Sequence, residues 1–201
     1  MLALVFLKGL ATAAGLIMSI GAQNVFVLSQ GLRRQHHLLV AAICAGFDLL
    51  FIGLGVAGLA ALLTGLPVLV RVLQLVGGLY LLYLAWEAAK RWRQRRSLGS
   101  EALHAMSWRR AAATALAVTL LNPQVFLETA LVLGTLADAQ GEMGKWVFAA
   151  GAMTTSVLWF FGLGIGAARL APVLARPSAW RWIDGLTAVL MTAMALVLLL
   201  P

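Results

Sequence analysis

The chain has 201 residues, 62% of them hydrophobic and only 11% charged, with fifteen basic residues against seven acidic ones and a formal net charge of +8. This composition describes a polytopic membrane protein, because the apolar segments are each long enough to cross a hydrocarbon core of roughly 30 Å. The basic excess does not point to nucleic acid, since those residues fall in the gaps between apolar segments, where membrane topology explains them. The single cysteine, Cys44, excludes an intrachain disulfide and a two-cysteine redox relay.

Six apolar segments follow one another: roughly 4–28, 38–63, 70–89, 111–136, 146–168 and 183–200. The first is read as a helix and not as a cleaved leader, because Lys8 follows the first apolar residues and hydrophobicity runs on to Leu28. On a continuous helix Lys8, Thr12, Gly15, Ser19, Gln23 and Gln30 form one polar stripe, which should avoid lipid. Gly21, Ala22, Gln23 and Asn24 add a flexible stretch with amide donors and acceptors.

Asp48 lies deep in the second segment. An acid at the centre of a membrane helix costs roughly 2.5 to 3.5 kcal/mol, so it is expected to face a cavity, a partner or a pathway. His36 and His37, just before that segment, lack a third metal ligand nearby and read as a solvated loop. The loop at about 90–110 carries Lys90, Arg91, Arg93, Arg95, Arg96, Arg109 and Arg110 and reads as a topology anchor with lipid headgroups as its neighbours.

In the fourth segment Pro123 lacks an N–H and disfavours helix at Asn122, so the helix should kink or open there and free backbone carbonyls. Glu128 follows in the same segment. At 1.5 Å per residue, Asp48 and Glu128 fall a few ångströms to either side of the midplane and can flank one site. No basic residue occupies the middle of a segment, so the missing cation is a substrate or a proton. In the fifth segment Thr155 shares a face with Trp159, and Ser156 lies beside them; Trp159 is deep enough to stack on a cationic group, although core packing explains it too. Gly162 with Gly166, like Gly53, Gly55 and Gly58, is expected to let helices approach closely, and such glycine faces make a homodimer an expectation.

Arg33 and Arg34, the 90–110 loop, and Arg169, Arg176 and Arg181 fall after the first, third and fifth segments, whereas only Lys8, Arg71 and Lys145 fall on the other side. The positive-inside rule then places both termini outside the cytoplasm. Trp92, Trp108, Trp146, Trp180 and Trp182 stand at segment ends, where an indole is favoured at headgroup level. Gln23 to Leu28 (QNVFVL) echoes Pro123 to Glu128 (PQVFLE), with Gln124 opposite Asn24, and each copy precedes two further segments. Three spans per half make the second copy enter from the opposite side. The expected fold is therefore an all-α polytopic membrane protein of one domain, 1–201, with six transmembrane helices as a 3+3 inverted repeat, its halves at about 1–90 and 105–201.

The run Ser19-Ile20-Gly21-Ala22-Gln23-Asn24-Val25-Phe26-Val27-Leu28 with Gln30-Gly31-Leu32-Arg33-Arg34, together with Cys44 through Asp48, Leu120-Leu121-Asn122-Pro123 and Ser156 through Phe160, resembles the lysine/arginine exporter family LysE/ArgO. The resemblance covers nearly the whole chain. It implies a multi-pass protein of the bacterial inner membrane that exports basic L-amino acids, L-lysine or L-arginine, under the proton-motive force. It places Gln23, Asn24, Asp48, Asn122, Pro123 and Glu128 at the site. Two positions depart from the family: Ala22 stands where proline is usual, softening the first break, and Glu128 where aspartate is usual, moving the charge by one methylene.

Together these readings predict a secondary exporter that works by proton antiport with alternating access, with Asp48 and Glu128 carrying the charge and no cofactor besides the proton. Ser19, Gln23, Asn24, Asn122, Pro123, Gln124, Ser156 and Trp159 complete the expected substrate and coupling set. The alternatives are an exporter of neutral amino acids such as threonine or homoserine and, from another class, a passive channel. No metal-ligand set or nucleophile–base pair lies in the apolar segments, so an enzyme is not expected.

Overall fold

A computed structural model of the chain describes residues 1–18, 21–59, 67–93, 106–122, 125–172 and 177–199. Among these residues the protein is all helix, without a strand. Helix α1 (Leu2–Ile17) is followed by α2 (Ala22–Leu32), and the two meet at 81°, so the first apolar segment is one bent pair, a broken span or a re-entrant loop. The polar stripe expected along a continuous helix therefore does not form. In α1 the buried positions are Gly9, Ala13 and Ile17, four residues apart, while Lys8 and Gly15 are exposed. The reason is close packing: a Cβ at Gly9 would lie 2.0 Å from the carbonyl oxygen of Phe148, and one at Gly151 would lie 2.1 Å from that of Phe6. Small residues thus decide which face turns inward.

The turn after α2 uses left-handed backbone at Arg34 and His36, and Arg34 Nε donates to the carbonyl of Ala168 at 3.0 Å. Helix α3 (His37–Leu54) then runs on into a π-helical stretch, Gly55–Leu59, that turns at Gly58. Helix α4 (Pro67–Arg93) follows, and α5 (Trp108–Leu120) is capped by Ser107, whose hydroxyl accepts from the Arg110 N–H at 3.3 Å. Regular helix stops at Leu120, and Asn122 lies outside it; a second π-helical stretch, Phe126–Val132, leads into α6 (Leu133–Asp138). Helices α7 (Gly141–Leu170) and α8 (Pro177–Leu199) complete the described chain.

Among the described residues, His37–Gly58 and Gly141–Leu170 are single helices long and apolar enough to cross a membrane. These two, α3 and α7, pack on each other at the centre. The bent pair α1–α2 packs on α7, and α5 with the second π-helical stretch packs on α3. Helices α4 and α8 pair with each other beside this body. Gly55 and Gly134 bring the chain ends of α3 and α6 into backbone contact, since a Cβ at Gly55 would lie 2.3 Å from the Ala130 carbonyl oxygen and one at Gly134 would lie 2.9 Å from the backbone of Gly55.

Gly162 and Gly166 behave differently from the close-packing glycines expected from their spacing. Among the described residues nothing lies within 4 Å of a Cβ at either position. They line an open apolar groove with Leu28, Leu32, Trp159 and Trp182 instead. Trp92, Trp108, Trp146 and Trp182 are all exposed near helix ends.

Candidate functional site

The break between α1 and α2 leaves the last carbonyls of α1 without helical partners. Asn24 Nδ2 donates to one of them, the Ile17 oxygen, at 2.9 Å. Its Oδ1 accepts from Trp159 Nε1 of α7 at 3.0 Å, so the half-buried indole is tied into the polar site by its N–H. One residue earlier, the buried Gln23 uses Nε2 to donate to the buried Thr119 of α5 at 3.0 Å. Thr119 in turn faces Cys44 Sγ on α3 at 3.9 Å. The start of α2 is therefore fastened to α1, α5 and α7 at once.

One helical turn beyond Cys44, Asp48 is 2% exposed. Its Oδ2 accepts a 2.8 Å hydrogen bond from Ser156 Oγ of α7, itself fully buried. Its Oδ1 is buried, without a hydrogen-bond partner among the described residues. A buried acid with one oxygen unsatisfied is costly wherever it stands, and its retention is expected where the missing partner arrives as part of the work.

Asp48 and Glu128 line the same small cavity, of ≈ 30 Å³, with Gln23, Asn24, Asn122 and Thr129. One water needs roughly 10–15 Å³, so the space holds a water or two and no amino acid. Both broken segments contribute: Gly21, Gln23 and Asn24 come from the start of α2, and Asn122, Val125 and Glu128 from either side of the interruption after α5. The Asn122 carbonyl, freed by that interruption, accepts from the Val125 N–H at 3.2 Å.

Of the residues singled out from sequence, the fold brings Gln23, Asn24, Asp48, Asn122 and Glu128 to one cavity and attaches Ser156 and Trp159 to it by hydrogen bonds. Ser19, Pro123 and Gln124 lie outside the described residues. Thr119 and Thr129 were not foreseen, because isolated threonines in apolar helices usually bond their own backbone, as Thr129 does to the Val125 carbonyl. Thr155 reaches the Leu10 carbonyl across the α1–α7 contact at 2.9 Å, a structural role. His36 is not simply solvated: its Nε2 lies 2.8 Å from the Met106 carbonyl. Among the described residues no group of histidine, cysteine and acids is placed to hold a metal.

A buried Asp48 and a half-buried Glu128 on one cavity, amide side chains and two helix breaks meeting among apolar helices define a membrane transporter. The model of the family described as LysE type translocator matches residues 14–201, and the chain belongs to that family. It is a transporter and not an enzyme. The chain is 43% identical over 195 residues, 96% of its length and 94% of the other's, to a protein of Serratia proteamaculans named arginine exporter protein ArgO. It is 42% identical over 182 residues, 90% and 88% of the two chains, to the arginine exporter protein ArgO of Yersinia enterocolitica. A putative amino-acid transporter of Aeromonas salmonicida, YggA, is 39% identical over 191 residues, 94% and 93% of the two chains. No solved structure matches the chain.

Proposed function

We propose that this protein exports basic L-amino acids, arginine foremost and lysine with it, from the bacterial cytoplasm across the inner membrane by antiport with protons. The observation that carries the reading is the shared cavity of Asp48 and Glu128, closed by Gln23, Asn24 and Asn122, in a chain whose close relatives include proteins named arginine exporters. An amino acid with a cationic side chain brings a positive group to a cavity that two acids line. The amides of Gln23, Asn24 and Asn122 are suited to its α-carboxylate and α-amino group.

The energetics ask for coupling. Moving a net charge of +1 outward against an inside-negative potential costs roughly 2.3 kcal/mol per 100 mV. Protons that enter as the substrate leaves supply this work. In the proposed cycle the ionised acids bind the cation from the cytoplasm, and protonation from outside displaces it. The present cavity is too small for substrate, which fits a state between the two open forms.

We further infer six spans arranged as a 3+3 inverted repeat, with both termini outside the cytoplasm and the arginine-rich turns inside. In support, each broken segment packs on the middle helix of the opposite half: α1–α2 on α7, and α5 with the second π-helical stretch on α3. The glycine contacts exchange in the same way, Gly31 lying against Gly164 and Ala167 while Gly134 lies against Gly55. The third helices of the two halves, α4 and α8, pair with each other. Rocking one half against the other then opens the cavity alternately to each side.

The test is transport in proteoliposomes: labelled arginine and lysine against threonine, with and without an imposed pH gradient. Saturable flux of the basic amino acids, accelerated by the gradient, is the expected result. Flux of threonine alone moves the protein to neutral substrates, and non-saturating flux indifferent to the gradient makes it a channel.

A further inference from the structure

A second and larger cavity, of ≈ 210 Å³, lies between α2, α4, α5 and α8. It is an order of magnitude above the roughly 10–15 Å³ that one water needs. Its wall is continuous with that of the acid cavity, because α2 serves both: Gln23 and Asn24 face the inner space, and Ser29, Gln30 and Arg33 the outer one. Gln23 and Gln30 stand two turns apart on one face of α2, about 10 Å along its axis. The outer cavity reaches Arg33, Glu87, Met106 and Arg110, at the chain ends that the basic residues assign to the cytoplasmic side.

Its chemistry is that of a binding pocket and not of a packing defect. Glu87 projects into it from α4 on the face that also carries Tyr80, Tyr83 and Leu84, and among the described residues nothing bonds this half-buried carboxylate. The rings of Tyr80 and Tyr83 lie 6.2 Å apart beside it. Gln30 is 2% exposed, and among the described residues its Oε1 has no hydrogen-bond partner. Its amide nitrogen donates to a thioether, Met106 Sδ at 3.6 Å. Arg33 and Arg110 line the cavity as well. A simple cation would meet the two arginines, and a simple anion would meet Glu87. A ligand that bears both signs matches a lining that carries both.

We propose that this cavity is a capture site on the cytoplasmic side, in which an amino acid with a cationic side chain is held before it passes along α2 to Asp48 and Glu128. The cation sits against Glu87 and the two tyrosine rings, and the α-carboxylate against the arginines. The proposal rests on the exporter reading for the identity of the ligand, and it assigns to Glu87 the first discrimination between charged and uncharged side chains.

The experiment is protection of a thiol in the full-length protein, purified in detergent so that sidedness does not enter. Ser29→Cys is nearly isosteric and lines the cavity, and the native Cys44 is fully buried. Arginine is expected to slow modification of this thiol by a polar maleimide at least five-fold, citrulline to have little effect, and Glu87→Gln to abolish the protection. Glu87→Asp should restore part of it, which separates lost charge from lost fold. Equal protection by citrulline, protection by glutamate or by phosphatidylglycerol in place of arginine, or protection that survives Glu87→Gln would each overturn the proposal. If the unaltered protein carries arginine in proteoliposomes while the thiol is unprotected, the capture site fails and the exporter reading stands. If it carries no basic amino acid, that reading fails first.

Discussion

Ser156 Oγ donates to Asp48 Oδ2 at 2.8 Å, and this bond joins α7 to α3 at the acid that lines the small cavity. A hydrogen bond to a charged group contributes about 1.5 to 3 kcal/mol. Removing it by Ser156→Ala is expected to lower kcat/KM for arginine efflux about ten-fold or more, with Ser156→Thr retaining most of it. An alanine variant with unchanged efflux in proteoliposomes would remove Ser156 from the site.

Asp48 itself is expected to couple flux to protons. Asp48→Asn keeps the shape and the acceptor for Ser156 but neither binds a cation by charge nor exchanges a proton. In vesicles with an imposed pH gradient, the variant should no longer concentrate arginine. If it still does so, the coupling lies elsewhere.

The Trp159 N–H to Asn24 Oδ1 bond, 3.0 Å long, ties α7 to the start of α2. A neutral hydrogen bond of this kind contributes about 1 kcal/mol, so Trp159→Phe, which keeps the ring and loses the donor, should cost about five-fold in kcat/KM. A loss confined to stability, with transport intact in the folded fraction, would assign the indole to packing alone.

The glycines divide into two classes that spacing could not separate. Gly55 has no room for a side chain beside the Ala130 carbonyl, whereas Gly162 and Gly166 face open space. Gly55→Ala is expected to destabilise by about 1 to 3 kcal/mol through overpacking, and Gly162→Ala by less than about 0.5. Thermal unfolding followed by tryptophan fluorescence in nanodiscs measures both.

The same contrast marks what could be read from the chain before its structure. Long apolar runs announce α3 and α7 by themselves, and Pro123 beside Asn122 announces an interruption after α5, because the backbone chemistry of proline is local. The bend between α1 and α2 was less legible. Ala22 carries no comparable signal, and a stripe drawn through Lys8 and Gln30 presumed a straight helix. Partnerships across the fold were not legible at all. Gln23 and Thr119 are 96 residues apart, Asp48 and Ser156 are 108 apart, and any serine or threonine in an apolar helix has its own carbonyls as an alternative partner. Glu87 escaped notice because it stands just before Lys90, Arg91 and Arg93, where an acid reads as the solvated end of a segment. Only the packing of α4 against α8, with α2 and α5 alongside, encloses it.

Glu128 offers the sharpest test of how the acid pair reads its substrate. Asp48 enters the cavity from the continuous helix α3, whereas Glu128 enters from the π-helical stretch after the interruption, where its reach depends on side-chain length. Glu128→Asp keeps the charge and withdraws it by one methylene, which enlarges the distance that the substrate's cation must bridge. Arginine presents a broad planar guanidinium that can pair with a carboxylate through two N–H groups, while lysine presents a compact point charge on a flexible stem. The shortened acid should therefore change the ratio of arginine to lysine kcat/KM by about three- to ten-fold while leaving proton coupling in place, since one interaction of about 1 kcal/mol is altered and no charge is lost. Parallel efflux measurements with the two labelled amino acids decide it. An unchanged ratio together with unchanged rates would mean that Glu128 does not touch the side chain of the substrate, and the discrimination would then have to be made at Asp48 or before the cavity is reached.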